Sequence, residues 1–397
     1  MSASCALLIE QAYWTVAKPV PERSNSMSSS QQLYTRVFTK LHSLHPTLHL
    51  KRLTVWVWVV VGLIQGQSVQ LSEIANHIPG DTQAVGRVAR IRRHLASKWI
   101  ISRTLYQPII EQVLTAWAGR EITIILDGCF IRNKALQILR VSLCHCYRAL
   151  PLAWEVVTDK GNVELEVCKT MLEHVAKLLK PMRRVTFLAD RGFRSREWAR
   201  TCRALDWDYI IRIANNTIIT FPGGVQRPVD QLGVKKGERR YLPNVQITLE
   251  ADWTCNLAIT WTRATPKCPA ELCVVMTNLR PSGWVLRHYL KRMQIEESFR
   301  DDKSGGFDLE ASHLTDPKRL DTLLLALSVA VLWVYELGEQ VLRDHRRSEV
   351  DPAYKRQLSV FQLGWRLLRR LISCVAPPPC TLRLTPFKPE SVWYGKC

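Results

Sequence analysis

The stretch Tyr289–Lys303, with the sequence YLKRMQIEESFRDDK, carries polar side chains at the spacing of one helix face. The offsets 0, 3, 7 and 14 are occupied by Tyr289, Arg292, Glu296 and Lys303. On an α-helix these positions point at about 0°, −60°, −20° and −40°, within a single stripe. A buried seam would avoid such a row, because unpaired buried charges are costly. A helix face that meets a metal ion and phosphates explains it, with Glu296 on the metal and the other three side chains on phosphate oxygens.

The same four positions match a known signature. The pattern Y-x2-R-x3-E-x6-K resembles the YREK signature of the insertion-sequence-four family of bacterial DDE transposases, and the resemblance covers roughly residues 50–340. It implies that Glu296 is the third catalytic carboxylate, and it requires two aspartates upstream, each at a strand end. A solvated helix face with internal ion pairs is the alternative interpretation of the stripe.

Two upstream strands of the buried type end at an aspartate. Glu121–Leu126 (EITIIL) leads into Asp127, and Arg184–Ala189 (RVTFLA) leads into Asp190. A lone aspartate after a strand is more often a turn residue or a helix cap. Two of them, followed by a glutamate helix in the right order, favour a carboxylate set of Asp127, Asp190 and Glu296. The forms Leu-Asp-Gly and Ala-Asp-Arg-Gly-Phe are also common in the family that the signature resembles.

The order of elements around these aspartates indicates the fold class. Residues 119–213 predict the succession β-β-β-α-β-α-β, which resembles the ribonuclease-H-like core of polynucleotidyl transferases. The predicted fold is therefore α/β, a mixed sheet with flanking helices. The other elements predicted here are strands at Gln137–Ser142, Leu152–Val157 and Tyr209–Ile213 and helices at Val163–Leu179 and through about Leu205.

Residues 214–284 are rich in Thr, Val, Gly and Pro. This composition predicts an antiparallel β insert between the second and third carboxylates. The resembled family carries an insertion at this place. Strands are expected near Ile218–Phe221, Val245–Leu249, Asn256–Trp261 and Leu272–Thr277. The predicted division of the whole chain begins with a flexible arm (1–30), in which Met27 is an alternative start, and a helical DNA-binding domain (31–118). The core follows in two parts, residues 119–213 and residues 285–343, and the second part holds the catalytic glutamate helix and a backing helix. The insert (214–284) lies between these parts, and a C-terminal helical region with a tail (344–397) ends the chain.

Two short helices in the N-terminal region suggest a helix-turn-helix-like unit. Leu71–His77 and Thr82–Leu95 flank a Pro-Gly break. The second helix is strongly basic, so it is expected to grip duplex phosphates and to reach base edges. A basic helix that is merely solvated is the alternative, while the resemblance implies a domain that binds the terminal inverted repeat. The arginines concerned are Arg87, Arg90, Arg92 and Arg93.

Composition points to a polyanionic partner. The chain of 397 residues has 55 Lys and Arg against 35 Asp and Glu, a net charge of +20. This excess favours nucleic acid first and an anionic membrane surface second. The longest apolar run, Leu53–Ile64, is shorter than the ~20 residues of a membrane span, so a buried helix is expected and no membrane. The 12 cysteines form no CxxC pair, which indicates reduced thiols in a cytoplasmic protein.

The chemistry follows from three carboxylates in one place, whose charge requires neutralisation. Oxygen ligands favour two Mg2+ ions, with Mn2+ as a substitute, and such a pair supports in-line phosphoryl transfer. The resemblance implies a cut-and-paste transposase: water nicks the transposon end, the 3′-OH forms a hairpin, a second water opens it, and the 3′-OH attacks target DNA. It also implies a homodimer on double-stranded DNA, in a bacterial, nucleoid-associated setting.

Several side chains besides the carboxylates are expected at the DNA. Tyr289, Arg292 and Lys303 would hold phosphates near the cleaved end. Met293 is where relatives place a side chain that probes the distorted end, although plain packing explains it equally well. Arg212 lies 22 residues after Asp190, where a matching arginine of relatives approaches the DNA. Relatives also stack a flipped base on a tryptophan of the insert, for which the candidates are Trp253, Trp261 and Trp284.

Two other functions compete with the transposase. A ribonuclease-H-fold nuclease without strand transfer, such as a Holliday-junction resolvase, has no need of the YREK set or of the insert. A sequence-specific DNA-binding regulator with an inert site has no reason to keep Asp127, Asp190 and Glu296 together. Metal-dependent cleavage in vitro separates the regulator from both enzymes.

Overall fold

A mixed β-sheet forms the centre of the computed structural model, which describes residues 28–131, 135–158, 165–193, 196–247, 254–264, 266, 269–374 and 379–387. Within these residues ten strands join in one sheet, in the order β3-β2-β1-β4-β5-β10-β9-β8-β6-β7 once numbered along the chain. The strands are β1 Glu121–Ile131, β2 Leu136–His145, β3 Arg148–Val157, β4 Arg184–Ala189, β5 Asp208–Ile213, β6 Ile218–Thr220, β7 Gln226–Pro228, β8 Arg239–Ile247, β9 Thr254–Trp261 and β10 Leu272–Thr277.

The first five strands mix parallel and antiparallel pairing. β1 pairs parallel with β4, and β4 pairs parallel with β5. β1, β2 and β3 form an antiparallel meander on the other side. β1 and β4 are buried along most of their length, as their continuous apolar runs predict for strands covered on both faces. This mixed α/β arrangement is consistent with the ribonuclease-H-like core that the resemblance implies.

The strands of residues 214–284 continue this sheet. β10 pairs antiparallel with β5, with Met276 opposite Ile211, and β9, β8 and β6 follow with antiparallel pairing. β8 begins at Arg239, earlier than the predicted strand Val245–Leu249, of which positions 248 and 249 lie outside the described residues. The short strand β7 was not predicted; it ends at Pro228, a residue that sheets tolerate at an edge. These residues therefore extend the core sheet instead of forming a sheet of their own.

Helices surround the sheet, and the first begins inside the predicted arm. Ser28 caps it and forms a capping box with Gln31, so residues 29 and 30 are helical. Residues 1–27, with the remainder of the arm and Met27, lie outside the described part. The α-helices are α1 Ser29–Leu44, α2 Leu50–Gly66, α3 Leu71–Asn76, α4 Ala84–Leu95, α5 Ser102–Leu114, α6 Leu165–Leu179, α7 Arg196–Ala204, α8 Gly283–Tyr289, α9 Met293–Asp302, α10 Pro317–Arg343 and α11 Val360–Cys374.

Two helices are buried almost throughout. The apolar run Leu53–Ile64 lies within α2 and is buried except at Thr54 and Val55, as predicted. Among the described residues α10 is one helix that is long and apolar enough to cross a membrane, but 94% of its most apolar window is buried inside the protein. α10 is thus the central core helix against which α2, α11 and strand β3 pack.

α10 and α11 touch backbone to backbone. A Cβ at Gly364 would collide with the carbonyl oxygen of Val334, and one at Gly338 would collide with the carbonyl oxygen of Val360. Only glycine permits this approach, because it has no side chain to separate the two helices. The two glycines therefore set the distance between α10 and α11.

The segment 379–387 after α11 is fastened to α10. The buried carboxylate of Glu336 accepts hydrogen bonds from the Leu382 N–H, at 2.9 Å, and from the Thr381 hydroxyl. Glu339 accepts the Thr385 N–H at 3.1 Å. Leu382 is fully buried, so this part of the predicted tail belongs to the core.

Candidate active site

The parallel pairing of β1 and β4 brings Asp127 and Asp190 side by side. The last paired residues are Leu126 and Ala189, and the two aspartates come next on their chains. Contrary to the sequence prediction, Asp127 does not close its strand, because β1 continues to pair with β2 and Arg140 stands opposite Asp127. Asp190 does follow the end of β4. The two carboxylates thus lie where the parallel pairing of β1 with β4 ends, while the antiparallel pairing of β1 with β2 continues.

The YREK stretch is helical, but it is not one regular α-helix. α8 ends at Tyr289, a 3-10 turn spans Leu290–Arg292, and α9 begins at Met293. In a 3-10 turn, side chains three residues apart eclipse each other. Tyr289 and Arg292 therefore stand nearly in line, which the ideal α-helical angles do not predict. Glu296 follows one α-helical turn after Arg292.

This turn directs two side chains onto all three carboxylates. The Tyr289 hydroxyl donates a hydrogen bond to Asp190 Oδ1 at 3.4 Å. One guanidinium nitrogen of Arg292 donates to Asp127 Oδ2 at 2.7 Å, and another donates to Glu296 Oε1. The structure therefore gathers the predicted carboxylate set around Tyr289 and Arg292, although Asp127 and Arg292 are 165 residues apart in the chain.

Burial dominates the electrostatics of this group. Burial raises the pKa of Asp127 to about 6; the Arg292 guanidinium and the Gly128 N–H oppose this rise, and the charges of Asp190 and Glu296 add to it. Burial also raises the pKa of the Tyr289 hydroxyl well above its usual range. Tyr289 therefore keeps its proton and stays a hydrogen-bond donor at neutral pH.

The three side chains suit a divalent cation in kind. Carboxylate oxygens alone favour Mg2+ or Mn2+ over softer metals. In the part of the chain that the structure describes, however, no three acidic, histidine or cysteine side chains form a ready ligand set. The Arg292 guanidinium lies between two of the carboxylates and pairs with both Asp127 and Glu296. A cation that binds these carboxylates thus meets a positive charge already placed between them.

The side chain of Lys303, the last residue of the signature, contacts β1 at a point beyond Asp127. Its ammonium donates to the Phe130 carbonyl oxygen at 2.8 Å and pairs with Glu310 at 3.1 Å. Phe130 follows Asp127 by three positions on the same strand. Since the Lys303 side chain is 28% exposed, its ammonium is accessible beside the carboxylates without touching them.

Two further predicted residues adjoin the group. Met293 is half-buried, and its sulfur accepts a weak hydrogen bond from Arg292 at 3.5 Å. Arg212 stands on β5 in line with Asp190, since Ala189 pairs with Ile211, and it forms an ion pair with Glu271 at 2.6 Å. Arg212 Nε is buried and has no hydrogen-bond partner among the described residues. Its guanidinium thus retains a free donor near the site.

The tryptophan candidates differ in their surroundings. Trp261 donates its Nε1–H to the Val234 carbonyl oxygen at 2.7 Å, which fixes its ring. Trp284 is 47% exposed and stacks on His288 with ring centres 4.4 Å apart. Trp253 lies outside the described residues. Of the two described rings, Trp284 offers more accessible surface.

The basic helix α4 divides its arginines between two tasks. Arg87 donates to the backbone carbonyl oxygens of Ala75, at 3.0 Å, and Thr82, and so fastens the turn between α3 and α4. This bonding gives Arg87 a structural role that the sequence analysis did not foresee. The other arginines of α4 are exposed, as a phosphate-binding face requires; they are Arg90, Arg92 and Arg93.

Sequence reasoning missed the buried ion pairs that hold α9 against the sheet. Arg140 of β2 pairs with Asp302, and Arg148 of β3 bonds Asp301 at 2.6 Å. A partial signal was present, because Arg140 lies among apolar residues of β2 and two adjacent aspartates precede Lys303. These pairs hold the glutamate helix in register with the aspartate strands.

Comparison with known proteins places the chain in a family. The family model described as the transposase DDE domain matches residues 124–333, more than half of the chain, and this span contains Asp127, Asp190 and Glu296. No curated protein matches. Among solved structures, the Marinitoga piezophila Argonaute in complex with 5′ OH guide RNA and target DNA is similar at 9% identity and a TM-score of 0.22, over 54% of this chain and 30% of that one. The chain belongs to the transposase DDE domain family, whose members are metal-dependent enzymes that cleave DNA and transfer its strands.

Proposed function

We propose that the protein is a cut-and-paste DNA transposase with the YREK chemistry of the insertion-sequence-four family. It binds terminal inverted repeats, cleaves the transposon ends through a hairpin intermediate and joins the 3′-OH ends to target DNA. It acts as a homodimer on double-stranded DNA in the bacterial cytoplasm, in association with the nucleoid.

One observation carries the proposal: Tyr289 and Arg292 converge on the three carboxylates Asp127, Asp190 and Glu296. The alternative, a solvated helix face with internal ion pairs, accounts for the exposed Glu296 and its pair with Arg292 within the stripe. It does not account for Tyr289 and Arg292, which are 6% and 8% exposed and bond Asp190 and Asp127 of the sheet. A nuclease needs the carboxylates alone. The added phenol and guanidinium provide donors for a second phosphate, which a hairpin step requires because two strands meet at one site.

The chain's own residues position the DNA for each step. The Tyr289 hydroxyl and the Arg292 guanidinium donate to phosphate oxygens at the cleaved end, and the Lys303 ammonium adds a positive charge beside them. Arg212, which pairs with Glu271 beside the site, approaches the DNA from the β5 side. Met293 packs against the distorted end as an apolar contact. Trp284 is the described tryptophan with the surface to stack an extruded base.

Asp127, Asp190 and Glu296 would hold the divalent ions, Mg2+ by preference and Mn2+ as a substitute. When bound, two such ions supply activation of the attacking oxygen and stabilisation of the leaving oxygen. In the first step water breaks one phosphodiester bond and leaves a 3′-OH. That hydroxyl then attacks the opposite strand, forms the hairpin and expels the flanking DNA. Water reopens the hairpin and restores the 3′-OH. This hydroxyl then attacks a phosphodiester of the target, forms a bond to its phosphorus and releases a target 3′-OH.

End recognition falls to the helical region, residues 31–118. The exposed arginines Arg90, Arg92 and Arg93 of α4 provide a phosphate-binding face, and Arg87 keeps α3 and α4 together. A net charge of +20 supports binding to a polyanion along other faces as well. The strands of residues 214–284 form the insert between the second and third carboxylates.

An in-vitro cleavage assay tests the proposal. The substrate is the DNA that flanks this gene, incubated with Mg2+ and the purified protein and resolved on a denaturing gel. We expect a hairpin-sized product that is absent with Asp127→Ala. Nicks without hairpin or joined products would indicate a nuclease instead, and binding without cleavage would indicate a regulator.

A further inference from the structure

Arg292 accounts for part of the hydrogen-bonding capacity of two of the carboxylates that a cation would use. Asp127 Oδ1 accepts the Gly128 N–H at 2.8 Å, and Asp127 Oδ2 accepts Arg292 at 2.7 Å. Glu296 Oε1 accepts a second nitrogen of the same guanidinium. Both oxygens of Asp127 are therefore engaged, and a single cationic group spans two of the three carboxylates.

A guanidinium and a divalent ion compete for these oxygens. Three carboxylates close together repel one another, and the raised pKa of Asp127 reflects that repulsion together with burial. The single positive charge of the Arg292 guanidinium reduces part of this repulsion. Replacing the guanidinium by a divalent ion requires a new anionic partner for Arg292, because its side chain is only 10% exposed and an unpaired buried charge is costly.

We propose that Arg292 is an internal counter-ion which holds Asp127 and Glu296 until a DNA phosphate takes over its guanidinium, so that metal loading is coupled to DNA binding. This inference rests on the proposed function and assigns it a regulation. A phosphate is a suitable acceptor, since Arg binds it with two parallel hydrogen bonds. The coupling is reciprocal: DNA raises the affinity for the metal, and the metal raises the affinity for DNA by the same factor.

The position of Arg292 permits the exchange. It is the last residue of the 3-10 turn Leu290–Arg292, a tight segment between two α-helices of the kind that often marks a hinge. Apart from the two carboxylates, its side chain bonds only the weak acceptor Met293 Sδ among the described residues. The buried pairs of Asp301 and Asp302 hold the far end of α9 against β2 and β3, so the exchange does not require α9 to leave the sheet.

Mn2+ binding to the full chain tests the coupling by electron paramagnetic resonance of the free ion. Without DNA, Arg292→Gln is expected to bind Mn2+ at least about 100-fold more tightly than wild type, the factor for losing two competing charge-assisted hydrogen bonds. Arg300→Gln is the matched control, since Arg300 lies on the following helix α9 and, among the described residues, pairs with Glu297 alone. It should bind as wild type does. Arg292→Lys keeps a cation at the site and should not reproduce the gain.

The second part of the experiment repeats the Mn2+ measurement in the presence of duplex DNA. With a saturating duplex of the sequence flanking this gene, the Mn2+ affinity of wild type should rise at least about 10-fold, while that of Arg292→Gln should change little. An Arg292→Gln protein that binds Mn2+ no better than wild type would overturn the inference. If Arg292→Gln does not fold, Arg292→Met takes its place, with the same expected gain in Mn2+ affinity and the same contradicting result. Asp127→Asn separates the two proposals: if it binds Mn2+ like wild type, the metal site itself is misassigned.

Discussion

At the scale of single residues, the first prediction concerns Glu296. On the proposed function, Glu296→Gln removes a charged ligand oxygen while it keeps the size of the side chain and a hydrogen-bond acceptor for Arg292. We expect nicking and joining to fall by more than about 100-fold, beyond what loss of an outer-shell partner of a metal costs. End binding should stay within about two-fold, because Glu296 does not lie on the basic helix α4. Gel-shift and cleavage assays on one preparation measure both.

The control for Glu296 is Glu173→Gln, which removes the same charge from an exposed position of α6. It should leave both cleavage and binding unchanged. Normal cutting by Glu296→Gln would show that the third carboxylate has been assigned to the wrong residue.

The second residue-scale prediction is a pH dependence of stability from Asp127. Its pKa is about 6 in the folded chain and about 3.9 when unfolded. A carboxyl with a raised folded pKa stabilises most when protonated, so its contribution is complete below about pH 4 and is lost as the pH rises through about 6. In urea titrations with EDTA, wild type should lose about 2 kcal/mol relative to Asp127→Asn between pH 4 and pH 7. Parallel curves for the two proteins would contradict the raised pKa.

The three carboxylates could be predicted because each of them lies in a recognisable local sequence pattern. Asp127 and Asp190 follow β-branched apolar runs, and Glu296 sits in a stripe that no core would select. No sequence pattern indicated that Arg292 would bond Asp127. Its contact with Asp127 joins residues 165 positions apart, and only the docking of α9 on β1 and β2 creates it. A spacing pattern tells which side chains share a face and does not tell what that face meets.

At the scale of elements, the crossing of α10 and α11 gives the third prediction. Gly364→Ala would place a methyl group against the Val334 carbonyl oxygen, and a backbone atom cannot rotate away. We expect the free energy of unfolding to fall by about 3 kcal/mol or more, at or above the usual cost of overpacking. Gly66→Ala is the matched control, because its Cβ would meet Glu73 at an ordinary 3.5 Å within another helix. Equal urea midpoints for the two variants would contradict the close approach.

Element boundaries were predictable where propensity and packing agree. β4 and β10 match their predicted residues, since their apolar runs stop at polar or turn residues. β1 runs past Asp127 to Ile131 because β2 continues to pair with it, and pairing is a property of two strands. The 3-10 turn Leu290–Arg292 was not predictable for a related reason: its residues suit an α-helix equally well, and the contacts of Tyr289 and Arg292 favour the tighter turn.

At the scale of the whole molecule, the sheet and its helices share one core. The hydrophobic cluster runs without a break from α1 through the strands to α11 and the segment 379–387. The division of the chain into a DNA-binding region, a core, an insert and a C-terminal region stays a prediction, because a shared core does not decide where functional units begin and end. The continuous sheet also gives the strands of residues 214–284 a fixed position relative to Asp190, through the pairing of β10 with β5.

The net charge of +20 gives the last prediction, which separates general attraction from a specific surface. Arg92→Ala removes one exposed charge from α4. We expect binding to the terminal DNA to weaken about 5- to 10-fold at moderate salt, and the slope of log affinity against log salt to fall by about 0.9, the value for one lost phosphate contact. Cleavage at saturating DNA should be unchanged, because the site lies on other elements. Lys180→Ala removes the same charge beyond the end of α6 and should alter neither quantity. Fluorescence anisotropy across a NaCl series measures both slopes, and equal effects of the two substitutions would mean that net charge alone, and not the face of α4, attracts the DNA.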